Sequence, residues 1–395
     1  MTNFNRTITI MDREGLDGLI ATSAANLFYF SGLWNPSLFL FPYDSQNYLI
    51  ITRDNLSHPI LVIGQGDLDL TTSLDKLSDT VSFGSFIRYV SDDVELTPSE
   101  LLLKTRAVDR KGESDPVSAI CKAIKMAGLS SGRIGLDERG SNLNVEELRN
   151  KLPNLQIVST SNKFAEIRMV KTADEIAKLK LAVEVTEQAL MAGIAQAQEG
   201  ISEWEMERKI LMEMVTRDAT PDFILLKFGR NGGFQQLARK DVFLKRGDTI
   251  WVDLGCRLNG YCSDIARTFV FGQPSKKIQM IYNALLEGEN AALEFIRPGV
   301  TAKEVYEKTM RAVQKAGLPK YDRGHVGHGI GLETYDPPLL SAGDQTVLEA
   351  GMVLDIEPPY YEIGLGAIHV EDTFVVIDEG TQLLTSISRS MQVLD

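Results

Sequence analysis

The sequence predicts a two-domain protein that mixes helices and strands, with an α/β domain over residues 1–165 and an α+β domain over residues 168–395. Three observations support this prediction. Apolar strand-like runs alternate with helical segments in the first part of the chain, a capped helix begins near residue 172, and the remainder repeats a pattern after about a hundred residues. A chain of 395 residues also exceeds one ordinary hydrophobic core.

The first domain contains the strand-like runs that a small α/β sheet needs. The helical segment MDREGLDGL leads into the apolar run LIATSAANLFYFSG, and four further segments favour strands: NYLIITRD, PILVIG, GRIGLDE and LQIVST. The domain carries one histidine, His58, and its acids do not cluster. We therefore assign no chemistry to it.

The domain boundary is predicted from the start of a long helix. Thr172 and Glu175 have the spacing of a capping box, in which the hydroxyl and the carboxylate each cap a backbone N–H group. Helical periodicity then continues to about Gln198, with only Gly193 as an interior glycine. We place the boundary near residue 168.

A repeated pattern divides the second domain into two halves. The segments GISEWE and GVTAKE, which start at Gly200 and Gly299, each open a helix with a hydroxyl residue as N-cap and a glutamate three residues later. Further along, Asp253 and Glu357 each lie six residues after a glycine. The recurrence predicts two similar halves related by a pseudo-two-fold axis, and a chance match is the alternative.

The first half contains a β-hairpin that carries two carboxylates. Asn259-Gly260 favours a two-residue type I′ turn, because that turn needs positive φ at both central positions. The turn fixes the register and places Asp253 and Asp264 on one face, roughly 7 Å apart at the backbone. No lysine or arginine lies between the two aspartates on that face, so a bound cation is the natural candidate. A solvated acidic face is the alternative.

The second half contains a matching strand pair. The segments GMVLDIEPPYY and GAIHVEDTFVV flank a turn near residues 362–366 and carry Glu357 and Glu371. Counting by twos, Asp355 lies on the Glu357 face and His369 on the Glu371 face. Each half therefore supplies a pair of acids to what is predicted to be one central site.

The histidines cluster in the same region. Three of the four histidines, His325, His328 and His369, fall within residues 325–369. A lone buried histidine is usually structural. Histidines this scarce, set among glycines and between acid pairs, favour a functional site instead.

Charge decides the predicted metal content. Asp253, Asp264, Glu357 and Glu371 carry a charge of −4, and idealised burial costs on the order of 20 kcal/mol per uncompensated ion. Two divalent cations cancel that charge. Four oxygen donors with one imidazole suit Mn²⁺, Co²⁺ or Zn²⁺, and paired ions of this kind favour hydrolysis of an amide or related C–N bond.

Composition excludes several classes of function. The formal net charge of −13 argues against nucleic acid or an anionic membrane as partner. The N-terminus has acids at Asp12 and Glu14 and no apolar core, and no long apolar run follows, so we expect a cytoplasmic protein. The three cysteines, Cys121, Cys256 and Cys262, form no C-x-x-C pair and are too few for a disulfide framework. Cys256 and Cys262 lie in the hairpin and are interpreted as small buried residues.

The motifs VDLGCRLNGYCSDIARTF, GHGIGLE, IEP and VED, in that order, resemble those of the pita-bread metallopeptidases, which include Xaa-Pro aminopeptidase, prolidase and methionine aminopeptidase. Residues 168–395 carry these motifs, and residues 1–165 resemble the creatinase-type N-terminal domain of the Xaa-Pro branch. The resemblance implies five metal ligands, which are Asp253, Asp264, His328, Glu357 and Glu371.

The resemblance also implies roles for some of these residues. Asp264 and Glu371 would bridge two ions, with Mn²⁺ as first choice and Co²⁺ or Zn²⁺ as alternatives, and Glu357 would handle the proton of a bridging hydroxide. A homodimer is implied, in which a loop of one N-terminal domain reaches the partner's site. Trp34 lies in such a loop, although turn formation and packing are its other interpretation.

Several positions depart from the family pattern. Family peptidases usually carry a histidine seven residues after the histidine ligand, where this chain has Tyr335, and another seventeen residues before the first aspartate, where it has Gln236. His369 replaces a common arginine, and Asp355 replaces a threonine. The ligand set is complete and the substrate shell is changed, so we expect Tyr335, His369 and His325 to take catalytic roles beside Glu357.

We therefore predict a dinuclear metal-dependent hydrolase of the Xaa-Pro dipeptidase or aminopeptidase type, acting on a dipeptide or short peptide. One alternative is a hydrolase of a small non-peptide C–N bond, as in creatinase or ectoine hydrolase relatives. An alternative of another class is a non-catalytic pita-bread binding protein. The five retained ligands weigh against it.

Overall fold

The computed structural model of the chain describes residues 2–42, 44–139, 142–234 and 237–395. Two compact units are present, Met1–Ile167 and Arg168–Asp395. Within the described part of the chain, no helix combines the length and the apolar character that a membrane crossing requires.

The first unit is built on a six-stranded mixed sheet with the strand order β4-β3-β2-β1-β5-β6. Its strands are β1 (Gly18–Ala21), β2 (Tyr48–Thr52), β3 (Ile60–Gly64), β4 (Asp79–Phe83), β5 (Gly132–Leu136) and β6 (Leu155–Ser159). Its helices are α1 (Phe4–Glu14), α2 (Ala24–Ser31), α3 (Ser37–Leu40), α4 (Pro98–Ala107), α5 (Pro116–Met126), α6 (Val145–Lys151) and α7 (Ser161–Met169). The strands predicted from the four apolar segments are confirmed.

Two details of the first unit differ from the prediction. Helix α1 ends at Glu14, before the end of the segment MDREGLDGL, because Gly15 adopts a left-handed conformation with φ of 63° and caps it. The apolar run that follows divides into strand β1 and helix α2. Strand β4 was not predicted.

The second unit contains two helix pairs and two main sheets. The helices are α8 (Ala173–Ile194), α9 (Glu203–Thr216), α10 (Lys276–Phe295) and α11 (Ala302–Lys315). The first sheet comprises β7 (Thr220–Phe228), β8 (Thr249–Leu258), β9 (Tyr261–Cys262), β10 (Ile265–Phe271) and β18 (Gln392–Leu394). The second comprises β11 (His325–Gly329), β12 (Asp336–Ser341), β13 (Val353–Ile356), β16 (Asp372–Ile377) and β17 (Gly380–Leu383), and a small ribbon pairs β14 (Tyr360–Glu362) with β15 (Gly366–Ile368).

The internal repeat is confirmed by matching backbone contacts in the two halves. The Gly200 N–H donates to the Leu244 carbonyl at 2.9 Å, and the Gly299 N–H donates to the Leu348 carbonyl at 2.9 Å. Both glycines have positive φ, 89° and 93°. Each half also has its own buried core, formed by its helix pair against its sheet. Both second helices begin with a complete capping box, as does α8 at Thr172.

The hairpin of the first half leaves no room for a side chain at Gly255. An added Cβ would overlap the Ser263 carbonyl and lie 2.8 Å from a ring carbon of Phe223. We expect Gly255→Ala to lower the free energy of unfolding by about 1–3 kcal/mol, the usual cost of overpacking, as measured by urea denaturation. The control is Gly343→Ala, where an added Cβ meets no atom within 4 Å. Equal stability of the two variants would show that the hairpin accommodates the added methyl group without loss of stability.

Candidate metal centre

The predicted hairpin places two aspartates on one face of the first sheet. Asn259 and Gly260 both have positive φ, 52° and 86°. Leu258 pairs with Tyr261, and Asp253 in β8 pairs with Ala266 in β10. The predicted register is therefore confirmed, and both Asp253 and Asp264 line the same cavity.

The second strand pair holds its two glutamates opposite each other. Ile356 pairs with Asp372, and Tyr360 pairs with Ile368. The two strands therefore keep one register before and after the short unpaired segment that contains Glu357. This register sets Glu357 against Glu371. The turn between the strands closes where Glu362 pairs with Gly366, as predicted.

Backbone contacts join the two halves at these acids. The Glu371 N–H donates to the Ala266 carbonyl at 3.0 Å, which bridges the first sheet to the second. The Thr373 hydroxyl donates to the Asp264 carbonyl at 3.0 Å. These two hydrogen bonds join the acid-bearing strand pair of one half to that of the other. The carboxylates of both halves therefore meet in one place.

His328 brings an imidazole to the same place from strand β11. Its Nδ1 lies 3.1 Å from the Gly329 carbonyl, which can only accept, so Nδ1 carries the proton and Nε2 presents its lone pair. Nε2 lies 3.5 Å from Glu357 Oε1 and 3.7 Å from Asp264 Oδ2. The lone pair thus faces carboxylates of both halves.

The described residues contain two groups whose ligand atoms all lie within 4.8 Å of one another. One group comprises Asp264, His328, Asp355 and Glu371, and the other comprises Glu357, His369 and Glu371. Glu371 belongs to both. Asp253 belongs to neither, although its Oδ2 lies 3.8 Å from His369 Nδ1.

Burial sets the protonation of these groups when no cation is bound. Burial raises the pKa of Asp253 to about 7 and, with repulsion from Asp253, that of Glu357 to about 8. Burial first and then mutual repulsion raise the pKa values of Asp264 and Glu371 well above their ordinary range. Burial lowers the pKa of His328 to about 4, so its imidazole is neutral at pH 7.

The residues fit a divalent metal centre. Asp264 Oδ1, Glu371 Oε2 and His328 Nε2 are buried and have no hydrogen-bond partner among the described residues. Buried polar atoms are normally satisfied, so these lone pairs need another partner. Carboxylates and a neutral imidazole are the forms that bind divalent metals, and cations would offset the cost of crowding the acids.

A cavity of about 400 Å³ opens onto the acids. Asp222, Phe223, Leu225, Thr334 and Tyr335 complete its wall. A volume of this size is at the small end of the range for small-molecule sites. The two apolar side chains beside the acids suit a compact substrate with one apolar part.

The predicted catalytic residues differ in how deeply they are buried and in whether they line the cavity. The Tyr335 ring stacks on His328 with the ring centroids 3.7 Å apart, and its hydroxyl lies 3.5 Å from Glu357 Oε1. His325 Nδ1 lies 3.4 Å from the same carboxylate oxygen. His369 is completely buried and is not among the described residues that line the cavity. Gln236 lies outside the described residues.

Sequence reasoning missed part of the cavity wall. Asp222, Phe223 and Leu225 belong to strand β7, which pairs with β8 along the length of the hairpin strand that carries Asp253. Leu225 pairs directly with Asp253. The hairpin motif predicts the pairing of β8 with β10 only. No local sequence pattern indicated that β7 pairs with the other edge of β8.

In the first unit, Trp34 lies between α2 and α3 in the chain. Its ring stacks on Phe39 with centroids 5.0 Å apart and contacts Phe28 edge-on at 6.3 Å. Its side chain remains 41% exposed. The aromatic packing explains the conformation of the loop without reference to a ligand.

Comparison with known proteins finds a family match in each part of the chain. Residues 177–378 match metallopeptidase family M24, and residues 4–62 match the creatinase/prolidase N-terminal domain. The Xaa-Pro dipeptidase of Pyrococcus furiosus is 35% identical over 212 residues, which are 53% of this chain and 61% of that protein. The Xaa-Pro dipeptidase of Pyrococcus horikoshii is 34% identical over 53% of this chain and 60% of that protein. The chain thus matches about three fifths of the length of these relatives.

Solved structures resemble the whole chain. The X-Pro aminopeptidase from Thermotoga maritima has a TM-score of 0.77 at 22% identity, with complete coverage of both chains. The prolidase from Pyrococcus furiosus has a TM-score of 0.73 at 27% identity, covering 96% of this chain and 99% of that one. These likenesses confirm the predicted pita-bread fold with its creatinase-like N-terminal domain. The family match spans half of the sequence, and this chain therefore belongs to metallopeptidase family M24.

Proposed function

We propose that this chain is a dinuclear metal-dependent hydrolase that cleaves the peptide bond before proline in a dipeptide or short peptide. One observation carries the proposal. Four carboxylates and one neutral imidazole from two halves of the second unit converge beside a cavity of about 400 Å³. The proposal is also supported by relatives that are named Xaa-Pro dipeptidase.

The proposed ligands are Asp253, Asp264, His328, Glu357 and Glu371. Their four negative charges match two divalent ions, and the oxygen-rich set makes Mn²⁺ the first choice, with Co²⁺ or Zn²⁺ as alternatives. When bound, such ions supply a water of lowered pKa and polarise the substrate carbonyl. Asp264 and Glu371 are the proposed bridging ligands.

Side chains at the cavity are proposed to transfer protons and to stabilise the oxyanion. Glu357 is proposed to accept the proton of the attacking water and to pass it to the leaving nitrogen. His325 lies 3.4 Å from its carboxylate and is placed to exchange that proton with solvent, since it is partly exposed. The Tyr335 hydroxyl is proposed to donate to the oxyanion that forms at the carbonyl.

The changed substrate shell favours a second candidate function. Tyr335 stands where family peptidases usually carry a histidine, and a tyrosine with its pKa raised by burial cannot cycle a proton at neutral pH. Hydrolysis of a small non-peptide C–N bond is therefore the alternative reaction. A non-catalytic binding role has less support, because no proposed ligand is missing.

Metal analysis followed by substrate panels tests these functions. The metal-loaded chain is assayed on Ala-Pro and on Xaa-Pro-Yaa tripeptides, with Ala-Ala as a matched dipeptide that lacks proline. Two ions per chain with turnover of the proline peptides support the proposal. Two ions with turnover only of cyclic amidines or guanidino acids favour the alternative reaction, and an absence of bound metal favours the binding role.

A homodimer is proposed alongside the peptidase function, with the loop around Trp34 contributing to the partner's site. Sedimentation equilibrium gives the oligomeric state. Loss of turnover in Trp34→Ala with an unchanged dimer supports a role for the loop at the site. A monomer in solution would remove this part of the proposal and leave the reaction unaffected.

Tyr335→Phe is expected to lower kcat by about 100-fold, the lower end of the cost of losing one donor to an oxyanion. The metal content should stay the same, since the ring that stacks on His328 remains. Steady-state kinetics and metal analysis of the same preparation make the measurement. Tyr335→Leu serves as the comparison, because it removes the ring as well and should also weaken metal binding. Unchanged kinetics for Tyr335→Phe would mean that the tyrosine only packs.

A further inference from the structure

His369 occupies a position that its neighbours define closely. Its backbone N–H lies 2.8 Å from the Thr268 hydroxyl oxygen, and that hydroxyl lies 3.0 Å from the His369 carbonyl. Thr268 belongs to strand β10 of the first half. The backbone of His369 is thus held against the opposite half, and its side chain is left to face the acids.

The ring of His369 is completely buried and faces carboxylates on both sides. Nδ1 lies 3.8 Å from Asp253 Oδ2, while Nε2 lies 3.7 Å from Glu357 Oε2 and 4.0 Å from Glu371 Oε2. Neither ring nitrogen has a hydrogen-bond partner among the described residues. A buried imidazole without partners is costly, so the ring needs an occupant of the space between it and the acids.

The spacing matches donors around one cation better than direct hydrogen bonds. Distances of 3.7–4.0 Å exceed hydrogen-bond length. Ligand atoms about 2.1 Å from a shared metal ion lie about 3.0–3.5 Å from one another, so a small inward movement completes the site. If the proton is on Nδ1, directed at Asp253, the lone pair of Nε2 faces Glu357 and Glu371, the usual arrangement of a carboxylate-oriented histidine ligand.

We infer that His369 is a sixth metal ligand and gives the second ion its own imidazole. This inference rests on the proposed metal centre. His328 then serves one ion and His369 serves the other, while Asp264 and Glu371 remain the proposed bridges between the two. Family members commonly carry an arginine at this position, and a guanidinium has no lone pair with which to bind a metal ion. The histidine that stands here supplies a nitrogen lone pair that can bind one.

With His369 as a sixth ligand, the preference for Mn²⁺ that was proposed from five ligands shifts towards metals that bind imidazole more strongly. One nitrogen among many oxygens suits Mn²⁺, whereas a nitrogen for each ion favours Co²⁺ and Zn²⁺, which bind imidazole well. The centre should therefore bind Co²⁺ more tightly relative to Mn²⁺ than a one-histidine centre does. His369→Gln should remove that preference, because the amide keeps a polar group and loses the imidazole.

Proton NMR of the Co²⁺-loaded full chain counts coordinated imidazoles directly. Each histidine that binds Co²⁺ gives one strongly shifted, exchangeable ring N–H signal. We expect two such signals in the unaltered chain, one in His369→Gln and two in His325→Gln, which is the matched control. Calorimetric titration should show the Co²⁺ affinity of the weaker site falling by at least about 100-fold in His369→Gln, because loss of a direct ligand costs no less than the roughly 10- to 100-fold that outer-shell changes cause.

The outcomes separate this inference from the proposed function. Two bound Co²⁺ ions with a single shifted imidazole signal in the unaltered chain would overturn the role of His369 and leave the metal centre intact. Failure of the unaltered chain to bind Co²⁺ or Mn²⁺ would overturn the metal centre itself. The signal count in the unaltered chain needs no variant, so a His369→Gln protein that failed to fold would not remove the test.

Discussion

Asp264→Ala is expected to abolish metal loading and to lower kcat by at least about 1000-fold, the effect of removing a group on which the reacting charge depends. Asp264 is buried, its Oδ1 has no hydrogen-bond partner among the described residues, and its Oδ2 faces His328 at 3.7 Å. Together with Glu371 it is proposed to bridge two ions, so its loss removes an oxygen ligand from each of them. Metal content by mass spectrometry and kinetics on Ala-Pro measure the two effects.

The same variant should still unfold cooperatively. The alanine removes one of several buried acids that repel each other, so the metal-free chain loses no attractive interaction of comparable size. The control is Asp222→Asn, because Asp222 lines the same cavity but its carboxylate accepts from the Thr334 hydroxyl at 2.7 Å and lies outside the proposed ligands. Full activity of Asp264→Ala with two ions bound would contradict the proposed bridging role.

The sequence predicted those parts of the site whose geometry is local. A two-residue turn at Asn259-Gly260 fixes the register of the strands beside it, so Asp253 and Asp264 could be assigned to one face before the structure was known. The strands that carry Glu357 and Glu371 were predicted to flank the turn at residues 362–366, whereas the register that sets the two glutamates opposite each other comes from the structure. In both cases the period of two along a strand decides which side chains share a face.

The meeting of the two halves could not be predicted in this way. It depends on the bridge between Ala266 and Glu371 and on the contact between Thr373 and Asp264, which join segments more than a hundred residues apart. No local pattern contains such a pairing, and His328 was assigned as a ligand from resemblance alone. The burial of His369 was likewise not foreseen, because period-two counting gives a face and not a depth.

The metal-free chain is expected to become less stable as the pH rises from about 5 to about 8, the opposite of the metal-loaded chain. In the folded metal-free state, burial raises the pKa of Asp253 from 3.8 to about 7 and that of Glu357 from 4.5 to about 8. The folded chain therefore holds protons that the unfolded chain has released above about pH 4. Unfolding releases protons in this range, so the free energy of unfolding falls as the pH rises and levels off above the folded pKa values.

The size of this effect should be readily measured. A raised pKa corresponds to about 1.4 kcal/mol per unit, so the two groups together amount to a few kcal/mol after allowance for their mutual coupling. For a domain of this size, that change moves the thermal midpoint by several degrees. Calorimetry in the presence of a chelator, at several pH values between about 5 and about 8, gives the midpoint directly.

Metal reverses the slope because it binds only the deprotonated ligands. As the pH rises, fewer protons compete for the carboxylates, the affinity for the ions increases, and the stabilisation by bound metal grows with it. The gap between metal-loaded and metal-free midpoints should therefore widen steadily towards pH 8. Glu357→Gln has one fewer carboxyl group with a raised pKa, so the thermal midpoint of its metal-free form should depend less on pH. A metal-free midpoint that rises over the same range would mean that these acids are not held together in the folded chain, and the case for a metal centre would fail with them.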